Sequence, residues 1–303
     1  SIDDNVRRLL PASMRIVSSA TRDTLDPHLI VQYPEGTTVA LADAAVTAPA
    51  SNRLIFANDA PNREMAIAPD LGGALAGAAA FLVSGFNTMQ DAALLEHRLD
   101  DLGAAMRHLP ADALVYYEDA GFYQRELSSL VRSRLLDRID VYGMNEDELQ
   151  EYLGRPVDLL APDDVVAALA EVHEVIPARA LVVHTKYWAI AVGPDSARHR
   201  AGLESAVRTA ATRYRLGDTC TVDDLDDTAR MPRHAGGTAV VAAAESRRGA
   251  TGVPAFLVDT AHPTTIGLGD TFVGGFLAAV PAAARLATAA ALERALDAAS
   301  PVR

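Results

Sequence analysis

Near its end the chain reads Thr264-Thr265-Ile266-Gly267-Leu268-Gly269-Asp270, and an apolar run over 271–280 then predicts a helix. Glycines let backbone amides approach a ligand closely. A helix start adds unpaired N–H groups and the positive end of the helix dipole. Such a turn holds a phosphate or a developing oxyanion. An aspartate there would repel phosphate if anion binding were the whole purpose. It makes sense as a base that takes a proton from an attacking hydroxyl while the amides hold the phosphoryl group. The plain alternative is that Asp270 is only the N-cap of the helix, a position Asp favours.

Asn145-Glu146-Asp147-Glu148 offers a second constellation. Asn followed three residues later by Glu is a capping-box pair. The chemical alternative sets Glu148 near Mg²⁺, through water, because Mg²⁺ keeps several waters and needs one or two carboxylates beside the phosphates. Glu118, behind the apolar run 114–117, is the candidate for the second carboxylate; otherwise it is a solvated strand end. His184-Thr185-Lys186 closes another apolar run and suits contact with a base or ribose, or else simple structural use. Ser84-Gly85-Phe86-Asn87 is a further polar cluster, or only a tight turn.

These clusters need a scaffold that brings them together. Short runs rich in Val, Ile, Leu and Tyr end at 85, 119, 143 and 185. Helical patterns lie between them, at 90–108, 122–136, 145–153 and 162–175, with a further one at 199–216. This alternation predicts an α/β fold, a mostly parallel sheet with helices on both faces. The run 187–193 predicts an antiparallel hairpin partner, 225–237 an irregular polar loop, and the chain end two Ala-rich helices. In such folds ligands bind beyond the carboxyl ends of the strands, where every cluster above falls. The first sixty residues read differently: strand-like runs around Pro34-Glu35-Gly36 and at 53–59 predict a small β-rich unit.

The chain has 303 residues, half of them hydrophobic, so it can bury a large core. A net charge of −13 makes nucleic acid and anionic membrane surfaces poor partners for the molecule as a whole. The single cysteine, Cys220, rules out an intrachain disulfide and a cysteine zinc site. The longest small-apolar run, 71–83, is too short to span a bilayer, and the opening residues do not read as a signal peptide. A cytoplasmic protein is expected. The chain opens without Met, and its true start is expected further upstream. There is no G-x-x-x-x-G-K-[ST] loop, no early G-x-G-x-x-G and no G-x-S-x-G elbow.

In order along the chain, 28–36, 52–65, 81–91, 115–127, 143–149, 180–193 and 253–276 together resemble the ADP-dependent sugar kinases, the glucokinase and phosphofructokinase group of the ribokinase-like superfamily. The resemblance implies a ribokinase-like core, 1–24 and 61–303, with an incomplete β-rich lid at 25–60. It implies phosphoryl transfer from ADP to a sugar or sugar phosphate, giving AMP, with Mg²⁺. Asp270 would be the base and Gly267, Leu268 and Gly269 the anion hole. Glu148 and Glu118 would position the metal. Asn145, His184, Thr185 and Val258 would contact the nucleotide, and His28 the sugar. Tyr116 stands where the family motif has histidine, and the upstream third of the family pattern has no counterpart. An ATP-dependent kinase of the wider superfamily and a non-catalytic sugar- or nucleotide-binding homologue are the alternatives.

Overall fold

The computed structural model describes residues 7–8, 10–17, 19, 28–49, 52–57, 60–260 and 263–280. Its centre is a six-stranded sheet. Strands β5 (Ala80–Val83), β6 (Leu114–Glu118), β7 (Val141–Asn145) and β8 (Leu181–His184) run parallel. β9 (Trp188–Val192) returns antiparallel as a hairpin from β8, and β10 (Thr251–Pro254) pairs with it antiparallel. Every residue of β8 and β9 is buried, as expected for strands covered on both faces.

Besides four short 3₁₀ turns, ten α-helices have both ends among the described residues. Two short ones, α1 (Ala60–Glu64) and α2 (Leu71–Leu75), precede β5. Then come α3 (Ala92–Met106), α4 (Glu126–Leu135), α5 (Glu146–Leu153), α6 (Pro162–Val175), α7 (Arg200–Leu216), α8 (Val222–Ala229), α9 (Ala235–Arg248) and α10 (Leu268–Ala278). Strand alternation splits the core in two. Tyr117, Tyr142, Met144, Leu181 and Val183 pack with residues of α3, α4, α5, α6 and α9 on one face. Tyr116, Val141, Ala180 and Val182 pack with Leu203, Ala206 and Val207 of α7 and Phe272, Val273 and Phe276 of α10 on the other. The expected helix-covered, mostly parallel sheet is the observed one.

The β-rich front is also observed, as two small antiparallel sheets: β1 (Leu29–Tyr33) with β4 (Asn52–Phe56), and β2 (Thr38–Ala40) with β3 (Ala45–Thr47). Thr265 Oγ1 donates to Gln32 Oε1 at 3.2 Å, joining β1 to the segment before α10. Two expectations need correcting. Residues 225–237 are not one irregular loop: α8 runs to Ala229 and α9 begins at Ala235. The Thr221/Asp224 capping box and the His234 cap, whose Nδ1 accepts from Gly237 N–H, start helices where composition alone looked loop-like. The last helix also starts three residues earlier than expected, at Leu268 rather than Thr271. The Ala-rich stretch after 280 lies outside the described residues.

Candidate active site

Glu118, Asn145 and His184 are the last residues of β6, β7 and β8, so one edge of the parallel sheet carries all three. Glu118 and His184 lie on the face covered by α10. Their side chains meet across the intervening strand: His184 Nε2 donates to Glu118 Oε1 at 3.0 Å, with only 10% and 17% of the side chains exposed. That contact passes over Gly143 of β7. A Cβ at Gly143 would stand 2.4 Å from both Glu118 Oε2 and Tyr116 Oη, so only glycine leaves room. Burial opposes charge on His184, but the carboxylates of Glu118, Glu146 and Glu148 outweigh it and raise its pKa. The imidazole stacks on Phe272, centroids 4.4 Å apart.

Gly267 adopts φ +66° and caps α10 without any side-chain bond. Asp270 is therefore not the N-cap; it sits inside the first turn with its side chain exposed. Thr271 N–H is the first to close on the turn, donating to Gly267 O at 3.0 Å. The amides of Leu268, Gly269 and Asp270 come before it and have no acceptor within the helix. A Cβ built on Gly269 would lie 3.8 Å from His184 Cε1 and 3.9 Å from Glu118 Oε1. The glycine turn thus abuts the Glu118–His184 pair, although 66 residues or more separate these three elements in sequence.

Asn145 accepts from Asp147 N–H and Glu148 N–H at 2.7 and 3.1 Å, and Asn145 N–H donates to Glu148 Oε2 at 2.7 Å. The capping box is real. It does not exhaust Glu148: burial, offset by the Asn145 N–H, and the neighbouring charges of Asp119 and Glu118 push its pKa up to about 7. Among the described residues no three His, Cys, Asp or Glu side chains form a ready metal cage. The arrangement still fits a hard cation that is ligated mainly by water and phosphate. Glu118 Oε2 is a buried carboxylate oxygen without a hydrogen-bond partner, and Glu148 is held reluctant to ionise beside two other acids. A divalent cation would relieve both.

The other expected residues are placed as follows. Thr185 Oγ1 accepts from Tyr187 and Trp188 N–H and donates to Trp188 O, so it closes the β8–β9 hairpin. Val258 is half-buried against the α7–α10 core. His28 is exposed, one residue before β1. Asp119 follows Glu118 but belongs to the opposite face. It is buried and accepts from Tyr117, Tyr142 and Tyr152 hydroxyls at 3.3, 2.9 and 2.5 Å. A cavity of about 180 Å³ there is lined in part by Asp119, Arg125, Arg132, Glu148 and Tyr152. Arg213 is a residue the motifs did not single out: it reaches from α7 to the glycine turn. Nothing local in its sequence, within a long helix, signals that reach.

A family model, the ADP-specific phosphofructokinase/glucokinase conserved region, matches residues 1–278. The chain belongs to this family. Solved structures similar to this family member include a phosphofructokinase from Pyrococcus horikoshii OT3 with AMP. It is 21% identical with a TM-score of 0.63, over 88% of this chain and 66% of that one. A hypothetical ADP-dependent phosphofructokinase from the same organism gives 20% and 0.62 over the same shares. An ADP-dependent kinase in complex with fructose-6-phosphate and ADPβS gives 18% and 0.65, over 84% and 65%. The chain spans about two thirds of the length of these structures. No curated protein matches the sequence.

Proposed function

We propose that this family member is a sugar kinase that transfers the β-phosphoryl group of ADP to a hydroxyl of a sugar or sugar phosphate, releasing AMP. The observation that carries the reading is Asp270, an exposed carboxylate that caps nothing, set within a helix turn whose first amides lack intrahelical acceptors. An anion-binding turn alone has no use for that charge. Family membership supports ADP over ATP as donor.

Asp270 accepts the proton of the attacking hydroxyl. The amides of Gly267, Leu268 and Gly269 hold the oxygens of the transferred group, where charge accumulates in the transition state. Glu118 and Glu148 would hold Mg²⁺ through its waters; when bound, the ion neutralises phosphate charge. His184 keeps one Glu118 oxygen occupied, so that the other keeps a fixed direction. Its place beside Gly269 supports a role at the phosphate end of the nucleotide instead of at the base or ribose. Asn145, Thr185 and Val258 are left to the nucleoside, with Thr185 acting through the hairpin it closes. Residues 25–60 act as a lid, with His28 on its sugar side. Such chemistry draws on the cytoplasmic pool of nucleoside diphosphates and sugars.

The test is a donor screen with ADP, ATP and pyrophosphate, against glucose, fructose-6-phosphate and related sugars, reading AMP and sugar phosphate. ADP-dependent AMP release that requires a sugar supports the reading. Turnover with ATP alone, or nucleotide binding without any turnover, overturns it.

A further inference from the structure

Arg213 lies in the last turn of α7, 53 residues before the turn it touches. Its Nη1 donates to the carbonyl of Ile266 at 2.5 Å and to Thr271 Oγ1 at 3.3 Å. Thr271 Oγ1 in turn donates to the carbonyl of Gly267 at 2.7 Å, beside the Thr271 N–H bond to the same oxygen. The fork is steadied from behind by Asp218 Oδ1, which accepts from Nε and Nη2 at 3.0 and 2.7 Å. Only 20% of the Arg213 side chain is exposed, against 81% for Asp218. The neighbouring Thr264 N–H is held by Tyr214 O at 3.1 Å, so the end of α7 holds the segment before α10 at two points, Thr264 and Ile266.

The consequence follows from peptide planarity. In a trans peptide the C=O and N–H point in opposite directions. The Ile266 carbonyl belongs to the same peptide as the Gly267 N–H. Drawing that carbonyl onto Arg213 turns the Gly267 N–H away from α7. The Gly267 carbonyl belongs to the peptide of the Leu268 N–H and is fixed from inside the helix by Thr271. Two successive amides, at the turn where phosphate would sit, therefore have their directions set by a single guanidinium and the threonine it contacts. Gly267 is tied to the same device: a Cβ there would stand 2.7 Å from Arg213 Nη1 and 3.5 Å from Asp270 Oδ2.

We infer that Arg213 is a positioning residue for phosphoryl transfer: by anchoring the Ile266 carbonyl and Thr271 it aims the Gly267 and Leu268 amides at the transferred group. The inference rests on the kinase reading above. A plain surface ion pair with Asp218 would add little to the fold and would need no bonds to the turn. Arg suits the task better than Lys, because its planar fork meets several acceptors at once.

The decisive variants are Arg213→Met and Arg213→Lys. In Arg213→Met, kcat for ADP-dependent transfer should fall by about 10²-fold, near the loss of one oxyanion-hole donor. Affinity for AMP, which lacks the β-phosphate, should stay within about threefold. Lysine reaches one anchor only, so Arg213→Lys should recover part of the rate while melting near wild type; it also carries the test if the Met variant does not fold. Binding of inorganic orthophosphate, read by ³¹P line broadening, needs no turnover. It should weaken in both variants, whatever the kinase assay returns, so the two readings fail separately. An unchanged kcat, or losses of AMP and orthophosphate affinity in step with melting temperature, overturns the inference.

Discussion

Replacing Asp270 by Asn separates the chemical role of this carboxylate from every structural one. Gly267 is the cap of α10 and Asp270 makes no capping bond, so no cap is lost. What remains is the favourable placement of a negative charge in the first helical turn, about 0.3–1 kcal/mol when exposed. Asn fills nearly the same volume and leaves the Arg213 anchors untouched. Stability should fall by less than about 1 kcal/mol. Losing the general base, in contrast, should lower kcat by roughly 10²–10⁴-fold, about 3–5 kcal/mol of transition-state stabilisation. Removing the carboxylate also removes its repulsion of phosphate, so ADP affinity should hold or rise. The assay reads melting temperature, ADP affinity and initial rate on the same preparation. A variant that keeps its rate, or whose rate and melting temperature fall together, refutes the base assignment.

Glu148→Gln retains the capping box, which accepts Gln, and should weaken Mg²⁺-dependent turnover more than nucleotide binding; unchanged rates across a Mg²⁺ titration would leave only the cap. The same variant has a metal-free signature. The wild-type carboxyl has its pKa raised from 4.5 to about 7 on folding, so it costs the fold nothing below pH 4.5, and the penalty grows to about 3 kcal/mol above pH 7. Glu148→Gln should therefore gain melting temperature over wild type between pH 5 and 8, and a constant gap would count against the shift. Gly143→Ala should destabilise by about 1–3 kcal/mol in denaturant titration, because its methyl meets Glu118 Oε2 and Tyr116 Oη at 2.4 Å. Gly274→Ala, with open space around its Cβ in α10, should instead stabilise by about 0.5–1 kcal/mol. Tyr142→Phe removes one of three hydroxyls from buried Asp119, on the face away from Asp270. It should lower stability by about 1–3 kcal/mol while kcat stays near wild type.

The scaffold was legible because it is written locally. The central parallel strands are continuous apolar runs, and β6, β7 and β8 each end in a polar residue of the candidate site. The Asn145/Glu148 pair and the Pro162 start of α6 are local signals, and both helices begin where those signals lie. The 225–237 segment misled because Thr, Asp, His and Gly read equally as loop or as cap. Only the hydrogen bonds, Asp224 Oδ2 to Thr221 N–H and His234 Nδ1 to Gly237 N–H, decide. At Asp270 it is the capping alternative that fails. Aspartate after glycine suggests a cap, but the positive φ of Gly267 lets the helix begin before it.

What the sequence could not convey is which neighbours cross strands. Glu118 and Asp119 are adjacent in sequence and look like one acidic pair. The alternation of β6 sends them to opposite faces, one to His184 and the glycine turn, the other to three tyrosines. Their separation follows from the strand, but the choice of partners does not: Gly143, on the strand β7 that lies between Glu118 and His184, has to lack a side chain before Glu118 can reach the imidazole. Tyr116 belongs to that same notch. Its hydroxyl is fully buried beside Glu118 with no partner of its own, where the family motif carries a histidine able to titrate. A phenol there raises no competing positive charge, and its own pKa is pushed up by burial and by the Glu118 charge. Among the described side chains His184 is the one that ion-pairs with Glu118, which makes the far end of β8, rather than the residue two places upstream, the partner that fixes the carboxylate's direction.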